Sequence, residues 1–127
     1  MACNTYTREK VLTASPVELI IMLYEEAIKQ LKIAILAIEE NRFDKANSSL
    51  QKAHAIIDEL VRSLDLSIQI GKDLLDIYEF IGRSLVEINQ KKDKDAIPPI
   101  IEILTGLKDA WVVVKQSEAA LYANNQE

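Results

Sequence analysis

Four runs of apolar residues spaced three and four apart take up most of this 127-residue chain. The first is Val17, Ile21, Tyr24, Ile28, Leu31, Ile35 and Ile38. The second repeats every seven residues at Phe43, Leu50, Ile57 and Leu64, interleaved with Ala46, Ala53 and Leu60. The third is Leu74, Tyr78, Ile81, Leu85 and Ile88; the fourth is Ile97, Ile100, Leu104, Leu107, Trp111 and Val114. Such spacing lays a stripe along one face of an α-helix and has no counterpart in the two-residue period of a strand. Helices this long, joined by links of a few residues, bury their stripes best as antiparallel neighbours. The expected fold is therefore all-α, an antiparallel up-and-down four-helix bundle. Its predicted helices cover about residues 16–40, 43–64, 72–90 and 96–121.

The punctuation between the runs agrees with that reading. Ser15 can cap the first helix, with Pro16 at its first position and Glu18 at its third, a capping box with a structural role. The link DLSIQIG, 65–71, is unusually apolar through Leu66, Ile68 and Ile70, and Gly71 is expected there as a turn residue. KKDKD, 91–95, reads as a charged turn. Pro98 and Pro99 lack amide hydrogens and belong in the first turn of the fourth helix, where those amides have no partner anyway. The chain is expected to be one domain over 1–127. Residues 1–14 would form a flexible or docked N-terminal cap segment, and 122–127 a frayed tail.

Composition narrows the function classes. Apolar residues make up 49% and charged residues 28%, a globular balance. A net charge of -5 without a Lys/Arg cluster argues against a nucleic-acid surface. Cys3 is the single cysteine, so no intrachain disulfide is possible and a reducing compartment is expected. No leader pattern and no apolar run long enough to span a bilayer is present, so no membrane insertion and a cytoplasmic location are expected. His54 is the only histidine. A di-iron bundle needs two Glu-x-x-His motifs, and zinc needs Cys/His clusters. There is no Gly-rich phosphate loop and no nucleophile elbow. Carboxylate pairs such as Glu25-Glu26 and Asp58-Glu59 suit solvated helix faces. The expected catalytic, metal and cofactor-binding residues are therefore none, and the chain is read as a non-enzyme. One rival is a histidine phosphotransfer module acting through His54. That family places a Lys and a small residue just after its histidine, whereas here the run is HAIID, 54–58.

Apolar residues exceed what four stripes need. Off the stripes lie Leu19, Ile20, Met22, Leu23, Ala27, Ile33 and Leu36 on the first helix, and a further set on the other three. A bundle stripe can widen to absorb most of these. The remainder would form an exposed patch of the kind that marks a partner site. A groove between helices most often takes an amphipathic helix or an extended apolar segment. The contact candidates are Ile56, Val61, Leu75, Phe80, Val112 and Val113. A structural homodimer through the same patch is the other non-enzymatic option.

Several segments, in order, resemble the flagellin-specific export chaperone family FliS. They are LTASPVELIIMLY at 12–24, DKAN at 44–47 with QKA at 51–53 and IDEL at 57–60, LD at 64–65, IYEFI at 77–81 with Leu85 and Asn89, and LKDAW at 107–111. Together they span about residues 6–115. The resemblance implies a cytosolic chaperone that holds the disordered C-terminal segment of flagellin, prevents its premature polymerisation and aids type III export. It also implies contact with the export gate and flagellar regulators, and an N-terminal cap in which Tyr6, Val11 and Leu12 cover an apolar groove until client binds. The family often has a Gly-Gly pair in a slightly longer second link, where this chain has SIQIG at 67–71. Pro98-Pro99 is also unusual for its fourth helix.

Overall fold

The computed structural model describes residues 16–125. Helix α1 spans Pro16–Glu39, α2 Phe43–Arg62, α3 Gln69–Lys91 and α4 Ile97–Asn125, with a 3-10 turn at Lys94–Ala96 leading into α4. No strand occurs among the described residues. Helix α1 packs against α2 and α4, and α2 packs against α3, so the order around the bundle is α3, α2, α1, α4. Neighbours run antiparallel. Asn47 near the start of α2 meets Asn89 near the end of α3. Glu18 at the start of α1 pairs with Lys115 far along α4, at 3.5 Å. The expected all-α bundle is the fold observed.

The stripe predicted for α3 is its buried face: Leu74, Tyr78, Ile81, Leu85 and Ile88 are all inside. On α2, Ala46, Leu50, Ala53, Ile57 and Leu60 are buried, while Phe43 at the helix start is 47% exposed. Helix α1 buries more than its predicted stripe, adding Ala27, Ala34, Ala37 and Gln30. The Gln30 amide donates to the Glu26 carboxylate, which satisfies it at a near-buried site. On α4, Ile97, Ile100 and Leu104 are buried, Leu107 and Trp111 pack half-buried against the core, and Val114 is exposed. The stripe fades because α1 is the only close helical neighbour of α4 among the described residues.

One polar contact crosses the core. The hydroxyls of Tyr24 on α1 and Tyr78 on α3 hydrogen-bond to each other, with ring centroids 6.4 Å apart. Burial raises the pKa of both phenols; for Tyr24, hydrogen bonding to Tyr78 and Trp111 offsets part of that rise.

Two helix ends stop in the left-handed region without glycine. Asn41, φ 58°, follows α1, and Arg42 donates back to the Ala37 carbonyl at 2.7 Å. Lys92, φ 51°, ends α3, and its ammonium donates to the Asn89 carbonyl at 2.5 Å. In both places the returning bond satisfies a carbonyl that the ending helix leaves without a partner.

Gly71 corrects the sequence reading. It is not in a turn but buried in the first turns of α3, which begins at Gln69 rather than near 72. The link folds back over it: a Cβ at Gly71 would lie 2.0 Å from the Asp65 carbonyl oxygen. Glycine is needed there for close backbone approach, not for its dihedral freedom. The link is held by Asp65, whose carboxylate accepts from the Ser67 amide at 2.9 Å and the Ser67 hydroxyl at 2.6 Å. Those bonds hold the Asp65 carboxyl below its ordinary range. Pro98 and Pro99 do lie in the first turn of α4 as expected.

Candidate functional site

Among the described residues no group of three His, Cys, Asp or Glu side chains is placed to hold a metal ion, and no helix is long and apolar enough to cross a membrane. His54 lies on α2, with its Nδ1 3.4 Å from the Asp58 carboxylate one turn on. Its other ring nitrogen faces Gly82 of α3, 3.6 Å from where a Cβ would stand. Two clefts flank α3.

The first lies between α3 and α4 and has a volume of about 280 Å³. Phe80, Ser84 and Ile88 form one wall, and Ala96, Pro99 and Ile100 the other. Phe80 precedes the buried Ile81 by one residue, so helical geometry turns it about 100° away from the core. It is 48% exposed. The rim is charged: Glu87 and Lys91 pair at 2.8 Å, which lowers the glutamate pKa and raises that of the lysine. This wall-to-wall gap exists because α3 and α4 approach each other less closely than the other neighbouring helices do.

The second cleft lies between α2 and α3, with a volume of about 440 Å³. Leu50 and Leu85 floor it, and Val86, 48% exposed, forms part of the rim. Asn89 donates from its side chain to the Asn47 side-chain oxygen at 2.8 Å, and Lys92 donates to the Asn89 side-chain oxygen at 2.7 Å. Gln51, Gln90 and His54 complete the lining.

Of the residues proposed from sequence, Phe80 lines the α3–α4 cleft. Val113, 59% exposed, stands on α4 outside both clefts. Ile56 and Val61 are half-buried and pack against the core. Leu75 and Val112 are half-buried and line neither cleft. The structure therefore does not gather these six into one site. Tyr6, Val11, Leu12 and Ser15 lie outside the described residues. Pro16 opens α1, and Glu18 makes its ion pair with Lys115. Sequence reasoning did not single out the carboxamides of the α2–α3 cleft as a site. Their signal is Asn47 and Gln51 one helical turn apart, facing Asn89 and Gln90 across the groove. Further exposed apolar side chains are Leu36 and Phe43 near the first link, and Leu66, Ile68 and Ile70 at the second.

Comparison with known proteins gives the chain a context. The family model described as flagellar protein FliS matches residues 1–118. The flagellar secretion chaperone FliS of Bacillus subtilis is 34% identical over 115 residues, covering 91% of this chain and 86% of that protein. The protein of the same name from Salmonella typhimurium is 33% identical, covering 80% and 77%. The Campylobacter jejuni one is 28% identical, covering 93% and 94%. A crystal structure of a flagellar chaperone from bacteria shares the fold with a TM-score of 0.76 at 19% identity, covering 88% of this chain and 95% of that one. The chain belongs to the FliS family of flagellar secretion chaperones and is a chaperone, not an enzyme.

Proposed function

We propose that this chaperone binds the disordered C-terminal segment of flagellin in the cytosol, keeps it from polymerising and passes it to the type III export gate. The observation that carries the reading is the open α3–α4 cleft with Phe80 half-exposed in it, on a chain of the FliS family. Masking an aggregation-prone amphipathic segment calls for extended apolar area rather than a reactive pocket. The exposed side chains at Leu36, Phe43, Phe80, Val86 and Val113 offer such area on several sides of the bundle. A client that folds as it wraps spends part of its contact energy on ordering, so a large interface can still be released at the export gate. In this reading Ile56, Val61, Leu75 and Val112 contribute the edges of the contact surface. The N-terminal segment bearing Tyr6, Val11 and Leu12 covers apolar surface until client arrives.

Calorimetric titration with the C-terminal segment of flagellin tests the proposal. The wild-type chain should bind it, and Phe80→Asp should weaken binding at least tenfold while helicity is retained. A tenfold loss corresponds to about 1.4 kcal/mol, within what one buried aromatic side chain contributes. No binding by the wild-type chain defeats the reading. Equal binding by Phe80→Asp removes the α3–α4 cleft from it.

A further inference from the structure

We infer, resting on the client-holding reading above, that the second half of α4, from Leu107 on, is a hinged strap. It opens about Thr105–Gly106 while the first half stays fixed, and so lengthens the α3–α4 cleft toward Tyr24 and Tyr78 when client enters.

The two halves of α4 are attached differently. Ile97, Ile100 and Leu104 are buried, whereas no residue from Thr105 to Ala120 is. Gly106 stands at that boundary. A Cβ there would meet nothing within 4 Å, and its φ is not positive, so neither close packing nor backbone geometry calls for glycine. What glycine does in mid-helix is weaken the helix and give it a place to bend. Its neighbour acts the same way: the Thr105 hydroxyl donates to the Ile101 carbonyl at 2.8 Å, a back-bond that bends helices.

The contacts that hold the strap down are easily exchanged. Leu107 and Trp111 pack half-buried against the core. The Trp111 indole N–H donates to the Tyr24 hydroxyl. Lys115 pairs with Glu18 at 3.5 Å, with side chains 49% and 38% exposed. Water can replace both polar contacts, and an ion pair so exposed adds little. Opening leaves the rest of the bundle joined, because the Tyr24–Tyr78 bond ties α1 to α3 without α4. It also leaves the cleft wall in place, since Ala96, Pro99 and Ile100 all precede the hinge. Tyr78 lies two residues before Phe80 on α3, so the space under the strap continues the cleft. The packing of Leu107 and Trp111 favours the closed state until client supplies contacts that replace it.

The test uses the full chain carrying Cys3→Ser, so that introduced cysteines are the only ones. Spin labels at Glu25→Cys and Ser117→Cys report on the strap, and labels at Glu25→Cys and Glu102→Cys on the first half; all three sites are exposed. Adding the C-terminal segment of flagellin should move the first distance distribution to longer values and leave the second unchanged. Bound client with the first distribution unmoved, or both moving together, overturns the inference. Gly106→Ala should cut the open fraction at sub-saturating client at least threefold; an unchanged fraction overturns the hinge. Joining Glu18→Cys to Lys115→Cys with a short bismaleimide should lower client affinity at least tenfold against the single-cysteine variants given the same reagent. Equal affinity overturns the strap and leaves the client-holding reading standing. A wild-type chain that binds no client defeats both.

Discussion

The α1–α2 seam and the α3–α4 side of the bundle are built from residues of different size. Helices α1 and α2 bury five alanines, Ala27, Ala34, Ala37, Ala46 and Ala53, together with Ser49. Among the residues whose burial is described, α3 and α4 bury no alanine; their inward residues are Leu, Ile and Tyr apart from Gly71 near the start of α3. Small residues let two helices come close enough for their backbones to share the interface, and large ones hold them apart. One side of the bundle is therefore sealed and the other keeps a cleft with Phe80 in its wall. The contrast teaches that residue size along the inward face, as much as apolar periodicity, decides where a bundle leaves room for a partner.

The sharpest way to break that comparison is Ala34→Leu, at a site with no exposure. Forcing a larger side chain into the sealed seam should cost about 3 kcal/mol, measured by urea unfolding. A variant as stable as the parent would show that alanine is not what brings α1 and α2 together. Gly71→Ala probes a second close approach, that of the link over α3. It should cost about 2 kcal/mol, because the added methyl meets a carbonyl that cannot move freely. A neutral result would mean that the link lifts off α3 without penalty.

Tyr78→Phe should cost about 1–3 kcal/mol, because it leaves the Tyr24 hydroxyl without its cross-core partner. It also has a pH signature. Both phenols have folded pKa values above the ordinary 10.0, so their contribution is intact below that pH and is lost as pH rises above it. Removing one phenol should make the alkaline loss of stability shallower; an unchanged slope would show that Tyr78 ionises as readily folded as unfolded. The smallest effect should come on the open side. Phe80→Asp should change stability by no more than about 1 kcal/mol, since the ring already meets solvent on much of its surface. Collapse of the fold would move Phe80 from the cleft wall to the core.

Much of the architecture was legible in the spacing of large apolar residues. All five predicted positions on α3 are buried, and the four helices begin within three residues of their expected starts. The misses share a cause: periodicity weighs large side chains and overlooks small ones. Ala27 falls off the predicted stripe, and Ala34 and Ala37 add nothing to it, because an alanine is nearly neutral in an apolar pattern yet decisive for approach distance. In sequence Gly71 suggests backbone freedom, whereas the lack of space above it is what requires glycine. Phe43 and Val114 fit the heptad but stand exposed, since a stripe ends where its neighbouring helix does. Phe80 was reachable because it sits one residue off a clean stripe. The carboxamides of the α2–α3 cleft were not, because a polar residue facing another helix looks in sequence like one facing water.

Trp111 is the only tryptophan in the chain and sits half-buried on α4 beside the Tyr24 hydroxyl of α1. That placement makes it a built-in optical gauge of the α1–α4 seam. An indole leaving such a site for water shifts its emission to longer wavelength. A stopped-flow fluorescence trace on the unlabelled chain would therefore record, in real time, whether α4 stays seated or swings out as client is loaded.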